Sequence, residues 1–123
     1  MSNSYIILVN NGGEYEKMSF LRIFSEKELG GIKHMKGSYR GNFDDGFAHL
    51  VLSEEKLYVV KPNSISDKPY DILHRISMEN FEEIKKVDVR KLKIVANGKT
   101  HNFEPAMKAD FVINRINKIL ENQ

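Results

Sequence analysis

Cysteine is missing from this 123-residue chain, which excludes disulfide bonds, thiolate zinc sites and a cysteine nucleophile. Excess charge is nearly missing too. Nineteen Lys and Arg against 17 Asp and Glu leave a net charge of +2, too little to point to a nucleic-acid partner. Long apolar runs are short here. The run Tyr5-Ile6-Ile7-Leu8-Val9 falls far below the roughly 20 residues of a membrane span. It also lacks the basic start and small-residue cleavage site of a signal peptide, so the expectation is a soluble, cytoplasmic protein. No repeat, low-complexity segment, linker or catalytic motif stands out. The chain is 41% apolar and 29% charged, an ordinary globular balance. Its length suits a single domain over 1–123, able to bury a real core.

The clearest local order lies near the C-terminus. Lys91-Leu92-Lys93-Ile94-Val95-Ala96 alternates polar and apolar residues, as a half-buried strand does. Asn97-Gly98 follows, and a type I′ hairpin turn needs φ > 0 at both of its central residues. Residues 99–103 return, so Ile94 should pair with the strand holding His101 and Phe103. Pro105 can then open a helix, where its missing N–H costs nothing. Ala109, Val112, Ile113, Ile116, Ile119 and Leu120 fall on one face of that helix. That stripe must be buried, and the sheet before it is the nearest partner.

Ahead of this, Tyr5 to Val9 reads as a strand. Residues 14–29 read either as a helix ended by Gly30-Gly31 or as an alternating strand over 15–24, with helix the preferred reading. Strands follow at 32–40, 47–52, 56–61, 70–78 and 84–88, separated by turn-forming residues. Ile72, His74 and Ile76 are expected on one side of their strand. With the closing hairpin this makes seven strands and a terminal helix. The expected fold is mainly β with α: a seven-stranded antiparallel bent sheet or barrel over 32–123, closed by the C-terminal helix. Residues 1–31 form a strand-helix extension. The five apolar β-formers of the first strand would be an aggregation-prone edge unless paired. Pairing along an open sheet edge of the same chain is favoured over pairing across a dimer, because Asn11-Gly12-Gly13 permits a tight reversal.

Seven strands and a helix is the order of the pleckstrin-homology-like barrel. The run Ala48-His49-Leu50-Val51-Leu52-Ser53-Glu54-Glu55-Lys56-Leu57-Tyr58-Val59-Val60, the corner Ile84-Lys85-Lys86-Val87 and the closing hairpin and helix resemble bacterial members of that group and the related GRAM domains. The resemblance covers about 32–120. It implies a non-enzymatic binding module acting through another protein or through self-association. The alternative it offers is a peripheral membrane module that binds lipid.

In lipid-binding members, basic residues flank the loop between the first two strands and hold inositol phosphates. The resemblance places Lys33, Lys36 and Arg40 in that position, and Lys and Arg make charge-assisted bonds to phosphate. Against this, the loop carries Asp44 and Asp45, and the strand after it has no Lys or Arg. A solvated basic strand face explains the three residues better. Asn42-x-Asp44-Asp45-Gly46 resembles a calcium loop but lacks its ligand positions and terminal Glu, so a tight turn is expected. His34, His49, His74 and His101 occupy separate strands with no i, i+4 pair. Two could meet across a barrel, but half-buried histidines with polar partners, and no metal, are expected. No cofactor and no nucleic acid are expected either. Phe20, Leu21, Ile23 and Phe24 are the densest apolar group outside the barrel. They are expected to pack on the domain, with a partner surface as the functional alternative.

Overall fold

The computed structural model describes residues 6–11, 14–63 and 69–123, with the backbone alone for 6–11 and 14–19. Tyr5, the Gly12-Gly13 reversal and residues 64–68 of the polar loop lie outside the described residues. The strands β1 (Ile6–Asn11) and β2 (Glu14–Ser19) pair antiparallel as a hairpin of their own. The expected pairing is therefore intrachain, but with the next strand and not along the edge of the main sheet. The stretch 14–29 divides between its two readings. Its first part is β2, and its second is the helix α1 (Phe20–Phe24), prolonged by a π-helical turn, Ser25–Leu29. Gly30, at φ 85°, ends it in the left-handed conformation that glycine adopts without penalty.

Seven strands follow: β3 (Gly37–Phe43), β4 (Gly46–Leu52), β5 (Lys56–Pro62), β6 (Tyr70–Ser77), β7 (Phe81–Asp88), β8 (Lys91–Ala96) and β9 (Lys99–Pro105). The helix α2 (Ala109–Glu121) ends the fold. The strands form one antiparallel sheet in the order β6-β5-β4-β3-β9-β8-β7. This is the expected seven-stranded sheet, bent and capped by a C-terminal helix. It does not close into a barrel, because β6 and β7 remain its two unjoined edges.

Several element boundaries differ from the sequence expectation: β7 begins at Phe81 and not at 84, and β3 runs on to Phe43 and not 40. The first strand of the sheet starts at Gly37, not at position 32, and Ile32–His34 is a 3-10 turn. Its partner β4 ends at Leu52, opposite Gly37, so residues 32–36 have almost no strand to pair with. Pro105 closes β9 instead of opening the helix. It sits opposite Gly41 of β3, and α2 begins at Ala109. A side chain at Gly41 would place its Cβ 2.2 Å from the Glu104 carbonyl oxygen, so this close crossing of β3 and β9 requires glycine. The closing hairpin turns as expected. Asn97 and Gly98 have φ of 54° and 75°, and Ile94 pairs with His101.

The sheet buries its inner face throughout the bend, and its outer face over β4, β5 and the start of β6. Inside the bend, Leu50, Leu52, Leu57, Val59, Leu92, Ile94 and Phe103 pack against Ala109, Val112, Ile116 and Ile119 of α2. The helical stripe read from the sequence is thus the lid of this core. On the outer face, Val51, Tyr58, Val60 and Tyr70 are covered by Phe20 and Phe24 of α1. Phe24 meets the rings of Tyr58 and Tyr70 edge-on, each at 5.2 Å. The Tyr70 hydroxyl donates to Glu28 Oε2 at 2.8 Å, and Arg75 lies 3.8 Å from the other oxygen of the same carboxylate.

A bulge lets β6 serve both cores. Val59 pairs with His74 and the next residue, Val60, with Ile72, which leaves Leu73 as an extra, half-exposed residue. Ile72 therefore packs in the outer cluster and Ile76 in the inner one. The expectation that both share a side fails because the bulge resets the alternation.

Candidate functional site

The turn between β3 and β4 is a two-residue reversal at Asp44-Asp45, with Phe43 opposite Gly46. Asp44 takes φ 53°, which a short polar side chain tolerates. Its N–H donates to the Asn102 carbonyl at 2.7 Å, and its Oδ1 accepts from the Asn102 N–H at 3.0 Å. Held from both sides, Asp44 points Oδ2 at His101 Nδ1, 3.0 Å away. His74 comes from β6, four places from β9 in the sheet, yet the bend brings its ring centroid to 5.2 Å from that of His101. Phe43 lies at 5.6 Å and 5.1 Å from the two imidazoles. One donor atom each from Asp44, His74 and His101 lie within 4.8 Å of one another.

The electrostatics of the three groups are coupled. Partial burial pushes the Asp44 carboxyl up, but the bonds from His101 and Asn102 and the charges of His101 and His74 outweigh it. Asp44 therefore ionises below the ordinary carboxylate value. Burial, and then the neighbouring His101, push His74 below the ordinary imidazole value. Sequence reasoning favoured half-buried histidines with polar partners and no metal site, with two meeting across the barrel as the alternative; His101 has such a partner in Asp44. His74 stands beside that pair, and His34 and His49 lie elsewhere. No local spacing could have signalled this, because the three residues belong to three elements and meet only through the bend.

A second feature lies where the β7–β8 turn meets α2. The Ala109 N–H donates to the Val89 carbonyl at 2.8 Å, and Lys86 lies 3.3 Å from Asp110. Around this junction Val87, Val89, Met107 and Phe111 are 57%, 53%, 37% and 59% exposed. Val87 is the extra residue of a bulge, since Lys86 pairs with Leu92 and Asp88 with Lys91. Met107 and Phe111 also line a groove of about 360 Å³ with Tyr39, Arg115 and Lys118.

The residues singled out in the sequence do not form a site. Lys33 is exposed on the 3-10 turn, and Lys36 pairs with Glu54 at 3.5 Å. Arg40 is half-buried opposite His49, with a buried Nε that makes no hydrogen bond. Lys36 precedes β3, and Arg40 lies within it. Phe20 and Phe24 are fully buried and Leu21 is half-buried on the outer core. They are core residues, not a partner surface, because the outer sheet face would otherwise lie bare. Among the described residues no helix is long and apolar enough to cross a membrane. No protein-family model matches the chain, and no curated protein matches it by sequence.

Proposed function

We propose that this protein is a non-enzymatic, pleckstrin-homology-like binding module of the cytoplasm that engages another polypeptide, a second copy of itself included. The exposed apolar side chains of Met107 and Phe111, which line one groove with Tyr39, Arg115 and Lys118, carry this reading. Exposed apolar side chains sharing a groove with charged neighbours, here Arg115 and Lys118, are the usual mark of a protein-binding patch. The strand order, in which the first strand of the sheet joins the two halves of the bend and a terminal helix caps it, supports the resemblance to that group. Contact through side chains fits better than strand addition. The free edge β7 carries register shifts near both ends, and bulges discourage an edge from adding strands. The lipid alternative lacks support from charge, because Lys36 is paired with Glu54 and the β3–β4 turn carries Asp44 and Asp45.

Sedimentation of the full chain over a wide concentration range, beside co-sedimentation with anionic vesicles, tests the reading. Reversible self-association that Phe111→Lys abolishes is the expected result, with no vesicle binding. Vesicle binding that salt screens and Phe111→Lys leaves intact would replace this reading with the lipid one. If the chain stays monomeric, a photo-crosslinker at position 111 should trap a protein in cells. Failure of both would overturn the proposal.

A further inference from the structure

We infer that Asp44, His74 and His101 form a binding site for a divalent transition metal of the zinc class, which clips the free edge of the sheet to its middle. The donor set is two imidazoles and one carboxylate. Imidazole nitrogen favours zinc, copper, nickel and iron over calcium and magnesium, which prefer all-oxygen ligands. Zinc has no geometric demand of its own and accepts three protein ligands with water in the fourth position.

The distances suit this. With ligands at about 2.0–2.1 Å, neighbouring donors around a tetrahedral zinc lie roughly 3.3 Å apart. Asp44 Oδ2 and His101 Nδ1 are already 3.0 Å apart. The His74 donor is within 4.8 Å of both, so an approach of roughly 1.5 Å completes the triangle. His74 is exposed, and its ring already stands against those of Phe43 and His101.

The site is also braced. Asp44 Oδ1 is occupied by the Asn102 N–H, which leaves Oδ2 for the metal and fixes the carboxylate as an outer partner fixes a ligand. Phe43 walls one side of both imidazoles. When the metal binds, it takes the place of the proton between His101 Nδ1 and Asp44 Oδ2, and any proton on those atoms is released to solvent. The result is a cross-link between β6, the β3–β4 turn and β9. It joins strands that the hydrogen-bonded ladder leaves four places apart.

The test uses the full chain, stripped with a chelator and dialysed. Calorimetric titration with zinc sulfate should give one equivalent bound per chain, and the thermal midpoint should rise by several degrees with zinc present. Cobalt(II) should give the visible absorption of a four-coordinate ion. His74→Ala removes an exposed ligand and should weaken zinc binding by more than the roughly 10–100-fold that loss of an outer partner costs. Asp44→Asn makes the same comparison if the first variant fails to fold. No saturable zinc binding by the native chain would overturn the proposal. So would native affinity in a folded His74→Ala or Asp44→Asn chain, which would place the metal outside this cluster. Neither result bears on self-association through Phe111, so the two readings fail separately.

Discussion

Asp44 and Asn97 each open a two-residue reversal with positive φ. Both reversals were legible, since short polar side chains beside glycine announce a turn. The sequence did not show what the Asp44 carboxylate meets, because Asn102 and His101 lie more than fifty positions away. Tyr70 is a similar case. It read as the start of a strand, and its hydroxyl proves to be the tie to Glu28. Tyr70→Phe should cost about 1.5–3 kcal/mol at neutral pH, as loss of a bond to a charged acceptor does. The pH dependence has a definite sign. Burial first, then the Glu28 bond and charge, push Tyr70 above its ordinary value of 10.0. A group raised on folding contributes stability that is complete below its unfolded value and is lost as the pH climbs past it. Urea unfolding followed from pH 9 upward should show the native chain losing stability above about pH 10. The Phe variant should lose less over the same range.

At the scale of elements, α2 is the part of the sequence that read most directly. Its apolar stripe has helical spacing, and spacing alone fixes which face is buried. Ile116 is fully buried in the inner core. Ile116→Ala should therefore cost about 2–5 kcal/mol in chemical denaturation, whereas Asn117→Ala, on the exposed face, should change stability little. The closing hairpin was as legible, through Asn97-Gly98. The segment 14–29 was less so, because its apolar residues satisfy two periods at once and only packing decides between them. Phe20 and Phe24 became helix because the bare outer face of Val51, Tyr58 and Val60 accepts a helical stripe. Pro105 misled for a related reason. A proline suits a first helical turn, but it also suits the end of a strand whose N–H is not needed. The crossing over Gly41 settles the matter. The cluster of Asp44, His74 and His101 was not legible, since it exists only once three elements are in place.

For the whole molecule, charge argues against an inositol-phosphate ligand. The turn that would form the rim of such a site carries Asp44 and Asp45, and Lys36 is already paired with Glu54. Titration calorimetry with soluble inositol phosphates should show no saturable binding by the native chain at physiological salt. Micromolar affinity would contradict this and favour a membrane role.

The bulge in β6 has a consequence for how the chain tolerates change in length. Removing one residue from the middle of a strand ordinarily turns every later side chain to the wrong face. Here Leu73 is the unpaired extra, so its deletion would leave Ile72 opposite Val60 and His74 opposite Val59, each on its present side. A chain lacking Leu73 should still fold, with a cooperative unfolding transition. What it should lose is curvature, because a bulge bends and twists its strand. The edge of the sheet would then swing outward and carry His74 away from His101. Leu73 is thus a spare residue as far as the cores are concerned, and its contribution is the shape of the bend.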